Sequence, residues 1–123
     1  MREILFRGKR IDNGEWVEGY LYGIWEQRYI LWGMTNNVPN MVEVDPETIC
    51  QYTGLIDKNG KKIWEGDIVT VPGDDELYAV TWDEDMAAWS LNAEALVYTF
   101  DNFWGYEVEV VSNVYDNPDW LEV

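Results

Sequence analysis

The sequence predicts a mainly β fold with short helical turns, for three reasons. Short runs rich in Ile, Val, Thr, Tyr and Trp recur along the chain and favour strands. Turn signals separate them: Asp12-Asn13-Gly14, Asp57-Lys58-Asn59-Gly60 and Asp83-Glu84-Asp85. Gly, Pro and β-branched residues are spaced so that no helix longer than about three turns fits. The 123 residues are expected to form a single domain, 1–123.

The elements follow in order. Residues 3–10 read as a strand, and Asp12-Asn13-Gly14 turns the chain into a second strand over 15–25. One face of that strand carries Trp16, Glu18, Tyr20, Tyr22 and Ile24; the other carries Val17, Gly19, Leu21, Gly23 and Trp25. Both faces are apolar toward the end, so the strand is expected to be covered on both sides. Residues 28–32 make a third strand, 33–40 a loop and 41–44 a short strand. Asp45-Pro46-Glu47 is a helix start, with Gly54 as its stop. Residues 63–71 form a strand interrupted at Gly66-Asp67. An acidic turn follows over 72–76, then a hairpin of 77–82 and 86–91. Residues 93–100 fit a helix capped by Asn92 or a strand favoured by Val97, Tyr98, Thr99 and Phe100. Residues 105–115 alternate as a strand, with a bulge where Val110 and Val111 break the pattern. Asn117-Pro118-Asp119 opens a final half-turn.

Charge is unevenly placed. The net charge is −16, yet residues 1–62 hold all 8 basic residues against nine acidic ones, and 63–123 hold fifteen acidic residues and no basic one. Direct nucleic-acid binding is unexpected, because Lys and Arg supply affinity for phosphate. An anionic membrane surface is disfavoured by the same sign. The acidic surface is assigned to Asp74, Asp75, Glu76, Asp83, Glu84, Asp85, Glu107 and Glu109. It serves solubility, or it mimics nucleic acid and occupies a basic protein whose own target is DNA.

The residues point to no catalytic, cofactor or metal site. There is no His, which removes the commonest general base and transition-metal ligand. The single Cys, Cys50, excludes an internal disulfide and a Cys-rich zinc site. Three adjacent acids at 83–85 lack the spacing of a calcium loop and read as a solvated turn. Glu65 and Asp67 would share one side of a strand at a separation suited to a carboxylate hydrolase, but so acidic a chain makes close pairs inevitable.

Eight Trp and eight Tyr in so short a chain serve the core, an interface, or both. The candidate interface is Trp16, Tyr20, Tyr22, Trp25, Tyr29 and Trp32, in the half of the chain where net charge is small. Self-association as a homo-oligomer is expected there, with a basic protein as a second class of partner.

Three segments carry a family pattern in order: Met1-Arg2-Glu3-Ile4-Leu5-Phe6-Arg7-Gly8-Lys9-Arg10, then Gln51-Tyr52-Thr53-Gly54-Leu55-Ile56-Asp57-Lys58-Asn59-Gly60-Lys61-Lys62-Ile63-Trp64-Glu65-Gly66-Asp67-Ile68-Val69, then Asn113-Val114-Tyr115-Asp116-Asn117-Pro118. The whole chain thereby resembles the YopX family of small phage and prophage proteins. Gly usually precedes the late Asn in that family, where this chain has Ser112. The resemblance implies an SH3-like small barrel (a pseudo-barrel with extra strands and hairpins), in which Gly66-Asp67-Ile68-Val69 starts a strand. It also implies a place in the cytoplasm of a bacterial host, and no established reaction. The expected role is a non-enzymatic accessory protein that binds protein.

With no His and one Cys, the purified protein is expected to hold no stoichiometric transition metal. Elemental analysis finding one zinc per chain would contradict this.

Overall fold

The fold is taken from a computed structural model that describes residues 4–73, 76–93, 97–99 and 107–121. The chain is mainly β; among the described residues it forms two antiparallel sheets and closes no barrel. It divides into two compact units, Met1–Tyr52 and Thr53–Val123.

The first unit contains β1 (Phe6–Lys9), β2 (Trp16–Ile24), β3 (Gln27–Thr35), β4 (Val38–Val44) and the start of β5 (Cys50–Ile56). Their order in the sheet is β4-β3-β2-β1-β5. The β1–β2 turn forms at Asp12-Asn13-Gly14 as expected, with Gly14 N donating to Arg10 O at 2.9 Å. Residues 33–40 are not a loop. They complete a β3–β4 hairpin, because Asn36 and Asn37 take the left-handed conformation that a tight turn needs and that Asn tolerates. Pro39 is accommodated because β4 is an edge strand. A bulge between Leu31 and Gly33 absorbs the one extra residue, Trp32.

The expected helix from Asp45 to Gly54 shrinks to one 3-10 turn, Pro46–Thr48. Asp45 caps it by accepting Glu47 N at 3.0 Å. The chain then turns extended at Ile49, and Cys50 and Gln51 pair with Arg7 and Phe6 of β1. Sheet pairing wins here because Ile49 and Thr53 are poor helix residues and good strand residues. Gly54 therefore lies inside a strand rather than ending a helix.

The interior of the first unit gathers Gly8, Gly19, Ile30 and Val44, with Ile30 and Val44 fully buried. Strands approach closely there. A Cβ at Gly19 would lie 2.1 Å from Leu31 O, and one at Gly8 would lie 3.0 Å from the Val44 side chain. The end of β4 returns to the end of β1: Asp45 N donates to Lys9 O at 2.8 Å and Ile11 N to Glu43 O at 3.1 Å.

The second unit contains the rest of β5, β6 (Lys62–Trp64), β7 (Asp67–Thr70), β8 (Leu77–Asp83), β9 (Ala88–Asn92), β10 (Val97–Thr99) and β11 (Glu109–Asn113), and ends in a 3-10 turn, Pro118–Leu121. Its sheet runs β10-β9-β8-β7-β11. Ile63, Val69, Val71, Tyr78, Val80, Leu91 and Val108 form its buried core. The break in the 63–71 run falls at Glu65 and Gly66, so Glu65 and Asp67 do not share a strand. Residues 97–99 form a strand, and the bulge near Val111 is present. The last strand is shorter than 105–115, since Glu107 and Val108 precede it; residues 105 and 106 lie outside the described residues.

Gly66 has φ +86°, and its amide and carbonyl bridge Val80 O (2.7 Å) and Val114 N (2.8 Å). A Cβ there would also meet the Tyr115 ring at 2.9 Å. Gly66→Ala is expected to cost about 2 kcal/mol. Gly19→Ala, which drives a methyl into backbone rather than a movable ring, should cost about 3 kcal/mol or more. Urea unfolding of both variants checks the amounts and their order.

Candidate functional site

The register of β2, β3 and β4 places side chains in rows across one face. Tyr20, Leu31 and Met41 form one row; Tyr22, Tyr29 and Glu43 form the next; Met34 and Pro39 form a third beyond the bulge. Tyr20 is 65% exposed and Met34 64% exposed, and Tyr22 and Met41 are also open. The Tyr22 and Tyr29 rings are tilted at 45° with centroids 6.1 Å apart.

The six candidate interface residues separate. Tyr20, Tyr22 and Tyr29 share this face. Trp16 stands on the same face of β2 but is half-buried, with the Arg7 guanidinium 4.4 Å and the Lys9 ammonium 5.4 Å from its ring. Trp25 is not on the strand: it occupies the β2–β3 turn at φ +53° and is 85% exposed. Arg28 braces that turn by donating to Trp25 O at 2.9 Å and Gln27 O at 2.8 Å. Trp32 sits in the β3 bulge and is exposed. The expectation that β2 is covered on both sides fails within the chain, since Tyr20, Leu21 and Tyr22 are all exposed. Only the stretch near Gly19, opposite Ile30 and Val44, turns inward. Leu31, Met34 and Met41 belong to the face but are missing from the sequence-based set: reading 33–40 as a loop hid the β3–β4 pairing that brings Met34 and Met41 there, and Leu31 is placed by its pairing with Tyr20.

The acidic candidates are less uniform than their sequence suggests. Glu76, Glu84 and Asp85 are exposed, while Asp83, Glu107 and Glu109 are half-buried. Asp83 Oδ1 accepts the amides of Asp85 (3.0 Å) and Met86 (3.2 Å), so it shapes the β8–β9 turn. Glu109 faces Lys58 Nζ at 3.4 Å. Asp74 and Asp75 lie outside the described residues. Of the carboxylate pair weighed for hydrolysis, Asp67 is buried with Oδ2 accepting Trp64 N at 2.8 Å, while Glu65 lies in the turn between β6 and β7.

The motif-bearing turns are built the same way. Asp57, only 2% exposed, accepts Asn59 N and Lys61 N on Oδ1, both at 2.9 Å, and Val110 N on Oδ2 at 3.0 Å. Burial pushes its pKa up, but those amides and the Lys61 charge outweigh burial and leave it lowered. Asn113 Oδ1 accepts Tyr115 N and Asp116 N. At exposed Asp12, the hydrogen bonds from Arg10 hold the carboxyl low. Among the described residues, no three His, Cys, Asp or Glu side chains gather to hold a metal, and no helix is long and apolar enough to cross a membrane.

These features define a small two-sheet β protein whose motif residues serve its turns and which leaves an apolar sheet face open among the described residues. The sequence profile of the YopX protein family matches residues 5–122, and the chain belongs to that family. Among solved structures, protein EF1440 from Enterococcus faecalis is similar, with a TM-score of 0.62 and 20% identity over 99% of this chain and 100% of that one. At that identity the likeness shows the fold alone. No curated protein matches the chain.

Because the Asp57 pKa is lowered on folding, its contribution is complete above the unfolded value of 3.8 and is lost as pH falls through the folded value below it. Asp57→Ala leaves three amides without their acceptor and should cost about 3 kcal/mol at pH 7. The gap between variant and wild type should narrow below about pH 4. Denaturant unfolding at pH 7 and pH 3 checks both statements.

Proposed function

We propose that this YopX-family chain is a non-enzymatic phage or prophage accessory protein, working inside the bacterial host by binding protein through the β2–β4 face. The observation that carries the reading is that face itself, where Tyr20, Tyr22, Met34 and Met41 stand open on adjacent strands. Tyr and Met are enriched at protein interfaces, and contiguous exposed apolar patches mark them. Turn-building roles for Asp57, Asp67 and Asn113 support a motif conserving architecture rather than chemistry. The meander β7–β10, with β11 returned beside β7, supports an SH3-like topology in open form for the second unit; small folds of this kind serve as binding scaffolds, by analogy.

Capture from host lysate by immobilised protein, compared with the variant Tyr20→Glu/Met41→Glu, tests the reading. A protein whose capture falls about tenfold in the variant and survives moderate salt is the expected result; the fold difference corresponds to about 1.4 kcal/mol. A basic protein held equally by both forms and released by salt would overturn it in favour of the acidic nucleic-acid mimic. Equal capture of everything by both forms at all salts would also overturn it.

A further inference from the structure

We infer that the β2–β4 face is occupied by a second copy of this chain, packed face to face. The inference rests on the binding role assigned to that face and names its partner.

Area is the first argument. Tyr20, Tyr22, Tyr29, Leu31, Met34 and Met41 lie in register on one face and together expose roughly 500 Å², taking ~200 Å² for a whole side chain. That is at the upper end of the largest patch on an ordinary monomer, roughly 300–600 Å². Trp25 in the adjoining turn and Trp32 in the bulge add open aromatic surface beside it. The total approaches the roughly 800 Å² per partner of a standard stable interface.

Charge selects the partner. None of those eight side chains is charged. Residues 1–52 carry five basic and eight acidic side chains, a net of −3, while 53–123 carry three basic and sixteen acidic, a net of −13. A basic partner is drawn to the acidic part of the chain, not to this face. A second copy, itself at −16, is repelled least where the charge is smallest; the carboxylates on this face, Glu43 on the edge strand β4 and Glu18 opposite β1, lie at the margins of the apolar rows rather than between them.

The edge strand argues for the mode of contact. β4 ends the sheet, and continuing the sheet through it would need a row of donors. Pro39, the second residue of β4, has no amide to donate, and toward the other end of the strand Glu43 O already accepts Ile11 N. Edge-to-edge pairing is therefore interrupted, whereas the face above it is continuous across three strands. Apolar burial drives a face contact without directional bonds.

Salt dependence follows from the same charges. Two copies at −16 repel at long range, so screening strengthens their association. Binding of a basic partner to the acidic part weakens with salt instead.

Light scattering after size exclusion, with the full chain at about 1–100 µM and at 50 and 300 mM salt, tests the inference. The expected result is a dimer that tightens at the higher salt. The exposed substitutions Tyr20→Glu and Met41→Glu should each weaken it at least tenfold while the thermal melt of the monomer moves little. Trp82→Glu, at an exposed position of β8, should leave the dimer intact and controls for surface charge. A strict monomer at both salts overturns self-association. If Tyr20→Glu/Met41→Glu still abolishes capture of another protein, the binding role of the face survives that outcome. A dimer that loosens with salt, or that tolerates both face variants, overturns the assignment to this face.

Discussion

Backbone amides at turns must find acceptors, and in this chain short Asp and Asn side chains supply them. Asn13 accepts Glu15 N, Asp45 accepts Glu47 N, Asp57 accepts three amides, Asp67 accepts Trp64 N, Asp83 accepts Asp85 N and Asn113 accepts Tyr115 N. Each is a polar group that would cost about 1–3 kcal/mol if buried unmet. A small all-β protein has many turns for its length, so this chemistry recurs at several changes of direction. Part of the high acid content is thus architectural. Asp57 and Asp67 are buried carboxylates held by backbone donors, and they add nothing to an acidic surface.

Close strand approach is the second constraint. Gly19 admits Leu31 O to a distance no Cβ permits, Gly8 brings Val44 closer than most Cβ atoms allow, and Ile30 and Val44 are fully buried there. A sheet with one face drawn in leaves its other face with little to cover it. The open Tyr and Met side chains of β2, β3 and β4 therefore follow from how the interior of that unit is built. The second unit solves the problem differently, with a core of branched residues and Tyr78.

Much of the architecture was legible in the residues. Strand-rich composition, the turns at Gly14 and Gly60, the break before Asp67 and the bulge near Val111 all rest on local chemistry that short segments carry. Two readings failed for one reason. The 33–40 segment looked like a loop because Asn and Pro disfavour strand interiors, yet the two Asn residues make the turn and Pro39 lies at an edge. The helix after Asp45 looked sound at its cap, but pairing of Cys50 and Gln51 with β1 outweighed a weak local preference. Of the candidate face, Tyr20, Tyr22 and Tyr29 were readable from alternation. Met34 and Met41 were not, because they join it only through the β3–β4 register, while Leu31 joins it through the β2–β3 pairing with Tyr20.

By itself, then, the amino-acid sequence determined the mainly β class, the places where the chain turns, the crowding of acids after residue 62 and the lack of histidine chemistry, since each depends on residue type and near neighbours. Tertiary structure alone decided that β11 returns beside β7, that neither sheet closes into a barrel among the described residues, that Trp16 is held against Arg7 and that Tyr20 is left open. Those outcomes depend on which distant strands pair and how tightly they curl, and pairing energies between strands are spread over many contacts that no local pattern contains.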